Sequence, residues 1–287
     1  MENAYEYIAC LFAFCMGSCI ASFLNVVVWR VPRGESIVSP PSHCPKCSAP
    51  IKWYQNVPIL SFLFLRGKCA KCAEAISPRY ILVEMLGGVL FLAYLLRIYF
   101  SGMTLPAMLV CLIVGWVWIS LMLSGSLIDY DHKLLPDFVT VGGMVLGIAF
   151  SLVMTAFNFL NCDDTVSLFV KFKPLLFSLS GLAVGFGLLG LVRLLGTMAF
   201  KREAMGMGDV FLMGAIGAIF GPVAVVFTIV LSSLFGSIAG FSLIALSKTK
   251  LGRYLEIPYG PFICLGCLIW MLAGNEIVAA YLHFLRF

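Results

Sequence analysis

Seven stretches of this chain, near residues 8–28, 81–100, 105–127, 138–160, 174–195, 223–246 and 261–283, stay apolar for about the length that crosses a bilayer. A helix needs roughly 17–25 mostly apolar residues to span the hydrocarbon core. Inside that core every backbone N–H and C=O has to be satisfied within the segment, so such runs are helical. A shorter window, 210–221, opens right after Gly208-Asp209 and closes at Gly221-Pro222. Counting it predicts an all-α polytopic membrane protein of about eight transmembrane helices. The composition agrees: hydrophobic residues make up 61% of the chain and charged ones 11%, against about 25% charged in a soluble domain. A water-soluble globular protein is excluded, and membrane lipid is the expected surrounding.

The basic residues sit in loops between the apolar runs. That distribution orients spans, so the net charge of +5 points to no nucleic-acid partner. Met1-Glu2-Asn3-Ala4-Tyr5-Glu6 is acidic where a secretory leader is basic. The first run is also too long for a leader, so residues 1–29 are expected to form a permanent span. Arg30 and Arg33 at its far end place the N-terminus outside and the next loop in the cytoplasm. On this topology fifteen Lys and Arg lie inside, the last being Lys248, Lys250 and Arg253. Four lie outside: Arg97, Lys171, Lys173 and Arg286. The bias predicts a multi-pass membrane protein with both termini outside.

Residues 30–80 differ in kind. They are rich in Pro, Ser, Lys, Arg and Cys and contain no run able to span. A cytoplasmic domain of this size builds little core without a staple. Cys44-Pro45-Lys46-Cys47 and Cys69-Ala70-Lys71-Cys72 supply four thiols, with 21 residues between the two pairs. Two such pairs match a structural zinc site of four cysteine ligands. With all four positions filled by protein, the metal has no open site for catalysis. Two disulfides or four reduced thiols are the alternatives, and disulfides are disfavoured in the cytoplasm. His43 reads as a bystander. Cys264 and Cys267 lie one turn apart in an apolar run and, like Cys10, Cys15, Cys19 and Cys111, read as packing residues. The remaining residues, 81–287, form the multi-span membrane domain.

Acidic side chains in or beside spans are costly and mark functional candidates. They gather at Asp129-Tyr130-Asp131 through Leu135-Pro136-Asp137 and at Met205-Gly206-Met207-Gly208-Asp209. Both segments end spans on the same expected face, so two distant stretches deliver carboxylates to one depth. Two close carboxyl groups share a proton: one activates water while the other polarises a carbonyl. Gly206 and Gly208 would let an extended peptide approach Asp209. Plainer readings stand beside these. Asp137 looks like a helix N-cap, Asp131 like a solvated interfacial acid, and Glu84 like a partner for Arg79 or Lys68. Asp163 and Asp164 belong to an exposed loop. These arguments alone do not choose between Asp129 and Asp131.

The ordered set of motifs resembles the type IV prepilin peptidase family over nearly the whole chain. Ser22-Phe23-Leu24-Asn25 with Arg30-Val31-Pro32 is similar to its first-span signature. The two cysteine pairs, Arg66-Gly67-Lys68, and Ile76-Ser77-Pro78-Arg79-Tyr80 with Glu84 continue the likeness. Asp129 to Asp137 resembles the first catalytic motif, Gly206-Met207-Gly208-Asp209 the second, and Ile257-Pro258-Tyr259-Gly260-Pro261-Phe262 the motif before the last span. The resemblance implies catalytic roles for Asp129 and Asp209. It implies a prepilin or pseudopilin substrate whose basic leader is cut between Gly and a hydrophobic residue, commonly Phe. Members with the four-cysteine loop then methylate the new N-terminus with S-adenosylmethionine, a cofactor for which this chain carries no recognisable fingerprint. Many relatives have Lys where Phe211 stands, and the loop from Asn161 to Lys173 is longer than the family leads one to expect.

Two other classes share part of this pattern. A proton-coupled membrane transporter also holds acids in spans, but near the bilayer midplane. A membrane thiol oxidoreductase needs redox cysteines on the outer side, whereas Cys44, Cys47, Cys69 and Cys72 are expected inside.

Overall fold

The computed structural model describes residues 2–161, 166–203, 205–246 and 257–285. Asp163, Asp164, Lys248, Lys250, Arg253 and Arg286 lie outside them. The described elements are helices: α1 (Glu2–Arg30), α2 (Leu60–Phe64), α3 (Arg79–Tyr99), α4 (Leu105–His132), α5 (Asp137–Asn161), α6 (Leu168–Lys171), α7 (Lys173–Phe200), α8 (Met207–Leu246) and α9 (Gly260–Leu285). Six are long and apolar enough to cross a membrane, or seven if the bent α9 is taken as one span. Large apolar side chains such as Phe12, Leu82, Val145, Leu191 and Phe241 stand exposed on them. That surface suits lipid and not water. The chain divides into two compact units, residues 1–124 and 125–287.

In the first unit α1 runs antiparallel to α3, and small residues set their approach. A side chain at Gly17 would strike the carbonyl of Gly87, and one at Gly88 the hydroxyl of Ser18. Between helices in lipid such close packing replaces the hydrophobic effect as the attractive force. The first part of α4 joins them: Trp116 donates its indole N–H to the Phe91 carbonyl at 3.1 Å, and the two rings stack at 5.1 Å.

Between α1 and α3 the loop is pinned at both ends. Arg30 is buried, and its guanidinium donates to the carbonyls of Ser36 at 2.9 Å and Pro40 at 2.7 Å. Further on, Ile59 sits at φ +63°, an uncommon backbone for a β-branched residue. Its N–H donates to Glu84 Oε2 of α3 at 2.8 Å. The structure thus gives Glu84 a backbone N–H as a partner, beyond the Arg79 or Lys68 expected from sequence.

The second unit is built around α8, whose 40 residues would make a rod of about 60 Å. They do not form one. A straight helix would hold Met207 and Ser237 about 45 Å apart, yet Met205 and Ser237 line the same cavity. The chain reverses at Gly221, whose φ of 78° and ψ of −178° belong to a region open essentially only to glycine. One arm is thus 207–220 and the other 222–246. The first arm, about 21 Å long, is shorter than the roughly 30 Å hydrocarbon core. The short window at 210–221 and the run at 223–246 are these two arms, which explains eight apolar segments in the sequence against six or seven long helices. Gly181 of α7 packs against Gly217, Gly185 against Met213, and Gly190 against Val210, so α7 lies antiparallel along the first arm.

A side chain at Gly221 would also overlap the Phe177 ring. Gly221→Ala is expected to cost about 1–3 kcal/mol from backbone strain, plus the displacement of Phe177. Gly187→Ala on α7 meets nothing within 4 Å and is expected to be neutral or to stabilise by up to about 1 kcal/mol. Thermal unfolding midpoints in detergent check the contrast.

Candidate active site and metal centre

The two cysteine pairs fold into copies of one backbone shape. Cys44 N–H donates to the Ala49 carbonyl and Ser48 N–H to the Cys44 carbonyl. Cys69 N–H likewise donates to the Glu74 carbonyl and Ala73 N–H to the Cys69 carbonyl. The residue after each second cysteine is left-handed, Ser48 at φ 53° and Ala73 at φ 58°. Each turn aims backbone N–H groups at its first sulfur. The N–H groups of Cys47 and Lys46 lower the Cys44 thiol, and those of Cys72 and Lys71 bring Cys69 down to about 6. Against the pull of the Glu74 N–H, burial and the neighbouring sulfurs push Cys72 up to about 12. The thiolate is the form that ligates metal.

All four sulfurs fall within 4.8 Å of one another, with Cys44 to Cys72 at 3.8 Å and Cys47 to Cys69 at 4.0 Å. Four sulfurs placed tetrahedrally at the zinc–sulfur distance of about 2.3 Å stand roughly 3.8 Å apart. The donor set fits zinc in both chemistry and spacing. It does not fit two disulfides, and the four cysteines are free. Lys46 pairs with Glu74 across the two turns, an exposed contact of little energetic weight. Cys264 and Cys267 are buried in α9, in keeping with packing roles.

The acids belong to the second unit. Asp129 lies near the end of α4 and Asp209 in the first turn of α8. Both are buried, at 7% and 9% exposure, whereas Asp131 is exposed. The end of α4 and the start of α8, which carry the two carboxyl groups, meet where the segment just after α4 packs Leu135 against Gly208. Leu135 fills the space where Gly208 has no side chain, with a Cβ position only 3.0 Å from its own. That contact seats the segment after α4 against the start of α8. Beside Gly206 the nearest group to an added Cβ is Asp209 Oδ2 at 3.5 Å, so this glycine lies next to the carboxylate. Phe211, found where many relatives carry Lys, packs edge-on against Phe186 at 5.5 Å. Asp137 is the first residue of α5, and the Pro136 carbonyl takes the cap position by accepting from Val139 and Thr140. The acid thus sits in the first turn, where the helix dipole favours it, one position inside the N-cap expected from sequence.

One site residue was not singled out by sequence reasoning. Gly260 opens α9, and its N–H donates to Asp129 Oδ2 at 2.9 Å. A side chain there would come within 2.6 Å of that oxygen. The signal was present as Tyr259-Gly260-Pro261, a helix start in which Pro261 offers no N–H and leaves Gly260 as the donor. Tyr259 anchors the segment through its hydroxyl, 2.7 Å from Ser232 Oγ. Gly260→Ala is expected to move the Asp129 carboxylate and lower turnover about 100-fold. Zinc content and thermal midpoint should stay near the parent values. Turnover within threefold of the parent would show that the contact does not position Asp129.

Comparisons with known proteins agree with this arrangement. Residues 15–98 match the model of the bacterial peptidase A24 N-terminal domain, and residues 116–241 that of the type IV leader peptidase family. The chain is 38% identical over 248 residues to a prepilin leader peptidase/N-methyltransferase of Myxococcus xanthus (strain DK1622), covering 86% of this chain and 66% of that one. It is 31% identical over 309 residues to the protein of the same name from Stutzerimonas stutzeri, covering 99% and 97%. To a type 4 prepilin-like proteins leader peptide-processing enzyme of Escherichia coli O78:H11 it is 33% identical over 270 residues, covering 87% and 88%. No solved structure matches. The chain belongs to the type IV leader peptidase family and is a multi-pass membrane enzyme.

Proposed function

We propose that this protein removes the leader peptide of prepilins or pseudopilins and then methylates the new N-terminus. What supports the peptidase half is that Asp129 and Asp209 are both buried, at the end of α4 and the start of α8, with the Gly260 N–H on Asp129. One carboxylate takes a proton from water as the water attacks the scissile carbonyl. The other, protonated, hydrogen-bonds the carbonyl oxygen and afterwards helps return a proton to the leaving amine. No covalent intermediate and no catalytic metal is needed. Gly260 holds one oxygen of Asp129 and leaves the other free to face water. Gly206 forms the side from which the peptide backbone approaches Asp209, whereas the space at Gly208, expected from sequence to serve the same approach, is taken by Leu135.

Zinc held by Cys44, Cys47, Cys69 and Cys72 staples the loop at 30–80, with all four positions closed. S-adenosylmethionine, when bound, supplies an electrophilic methyl group for the new amine. In the first unit a cavity of about 330 Å3 lies at the end of α1, lined by Ser22, Phe23, Arg30, Ser42 and Asn56 among others. That volume lies within the range of small-molecule sites, about 300–1,000 Å3. Ser22, Ser42 and Asn56 would hold the donor there, because Arg30 is already committed to two backbone carbonyls. The zinc loop and both sites face the cytoplasm in this reading, with the two termini outside.

Incubating the purified protein with a prepilin and measuring product mass tests the proposal. The expected products are a free leader and a mature chain heavier by one methyl group, the methyl appearing only with S-adenosylmethionine. An uncut substrate would sink the peptidase reading, and a cut, never-methylated one the second activity.

A further inference from the structure

Beside the acid pair lies a second cavity, of about 400 Å3. It is walled by Leu189 and Val192 of α7, by Ile229, Ser233, Gly236 and Ser237 on the second arm of α8, and by the segment Ile257 to Phe262. Its end is formed by the catalytic loops themselves. Met205 precedes Gly206, and Tyr259 and Phe262 flank the Gly260 that binds Asp129. The few polar groups in the wall are already engaged. Ser237 donates to the Ser233 carbonyl at 2.7 Å, and the Tyr259 hydroxyl bonds with Ser232 and Ser233. The groove therefore offers an apolar surface that starts at Met205 and Tyr259, each next in sequence to a glycine beside an acid, and follows α8 for residues 229–237, about 12 Å at 1.5 Å per residue.

We propose that this groove is the docking site for the apolar side chains that follow the scissile bond in the substrate. The inference rests on the peptidase reading and adds the direction of the bound chain. A substrate cut at the acid pair has to continue away from it on both sides. A basic leader gains nothing from a wall without free acceptors, whereas the hydrophobic side of the cut fits it. Gly236 leaves the room: a Cβ there would meet Phe262 and Tyr259 at ordinary distances of 3.7 and 3.8 Å, and anything longer enters the groove. Binding energy gained there holds the scissile bond against the carboxylates.

A prepilin carrying a benzoylphenylalanine photoprobe tests this, with Asp129→Asn enzyme used to retain the uncut substrate. Probes at the first or fourth residue after the cut are expected to label peptides containing residues 229–237 or 257–262, and a probe in the leader is not. Labelling of other helices by the first two probes, or of the groove by the leader probe, would overturn the proposal. In the active enzyme Gly236→Leu is expected to lower kcat/KM by about tenfold or more. Val230→Leu, on the exposed outer face of the same arm, is expected to stay within twofold. Cleavage unchanged by Gly236→Leu would contradict the assignment. If that variant does not accumulate, Ser237→Leu, at an exposed position of the groove, replaces it with the same expected result. The peptidase reading fails separately, through cleavage by Asp129→Asn itself.

Discussion

Asp129→Asn and Asp209→Asn are each expected to reduce leader cleavage by at least about 1,000-fold, while Asp131→Asn stays within threefold of the parent. An amide keeps the size of the carboxyl group but can neither take the proton of the attacking water nor give one to the carbonyl. Losing one member of a catalytic unit commonly costs a factor of 1,000 to 10,000 or more. Asp131 differs in being exposed, two residues further along α4 than the buried Asp129. Gel mobility of a prepilin under single-turnover conditions reads the result. Loss through Asp131→Asn with Asp129→Asn tolerated would mean that the wrong acid had been paired with Asp209.

The second large effect is expected at the four cysteines. The parent protein should carry one zinc per chain, and the double variant Cys44→Ser, Cys69→Ser none, by elemental analysis. Zinc bound by small four-ligand modules contributes about 10–16 kcal/mol to their folding. The loop at 30–80 has little else: its only described helix longer than one turn of 3-10 structure is the five-residue α2. Without metal it is expected to unfold and methylation to be lost altogether. Cleavage should fall much less, because Asp129 and Asp209 belong to the second compact unit. Glu74→Gln, which removes only the exposed pair with Lys46, is expected to retain zinc. Equal loss of both activities in variants that keep zinc would make the loop a docking element common to both steps.

Much of this was legible in the residues because membranes impose strong rules. Apolar length predicts α1, α3, α4, α5 and α7 nearly to their ends, and the spacing of Cys44, Cys47, Cys69 and Cys72 announces a cluster that the backbone then closes. The break at Gly221-Pro222 could be read as the end of a short segment. That this segment folds back along α7 follows from packing at Gly181, Gly185 and Phe177, which no local pattern encodes. The choice of Asp129 over Asp131 is a matter of burial. Two helical steps, about 200° in all, turn one acid inward and the other outward, and the sequence offers no reference for that rotation. Glu84 and Gly260 eluded pairing by charge because their partners are a backbone N–H and a carboxylate oxygen far away in the chain. The likeness to a transporter ends at the same place, since the family match is to peptidases.

The central claim is that Asp129 and Asp209, 80 residues apart in sequence, act as one catalytic centre. A double-mutant cycle tests it most directly. Single-turnover cleavage rates are measured for the parent, Asp129→Asn, Asp209→Asn and the double variant, each checked for zinc content and thermal midpoint. If the two carboxyl groups work as a unit, the double variant is no slower than the slower single one. Losses that multiply, so that the double variant falls by the product of the two single effects, would contradict a shared centre and leave two independent acids.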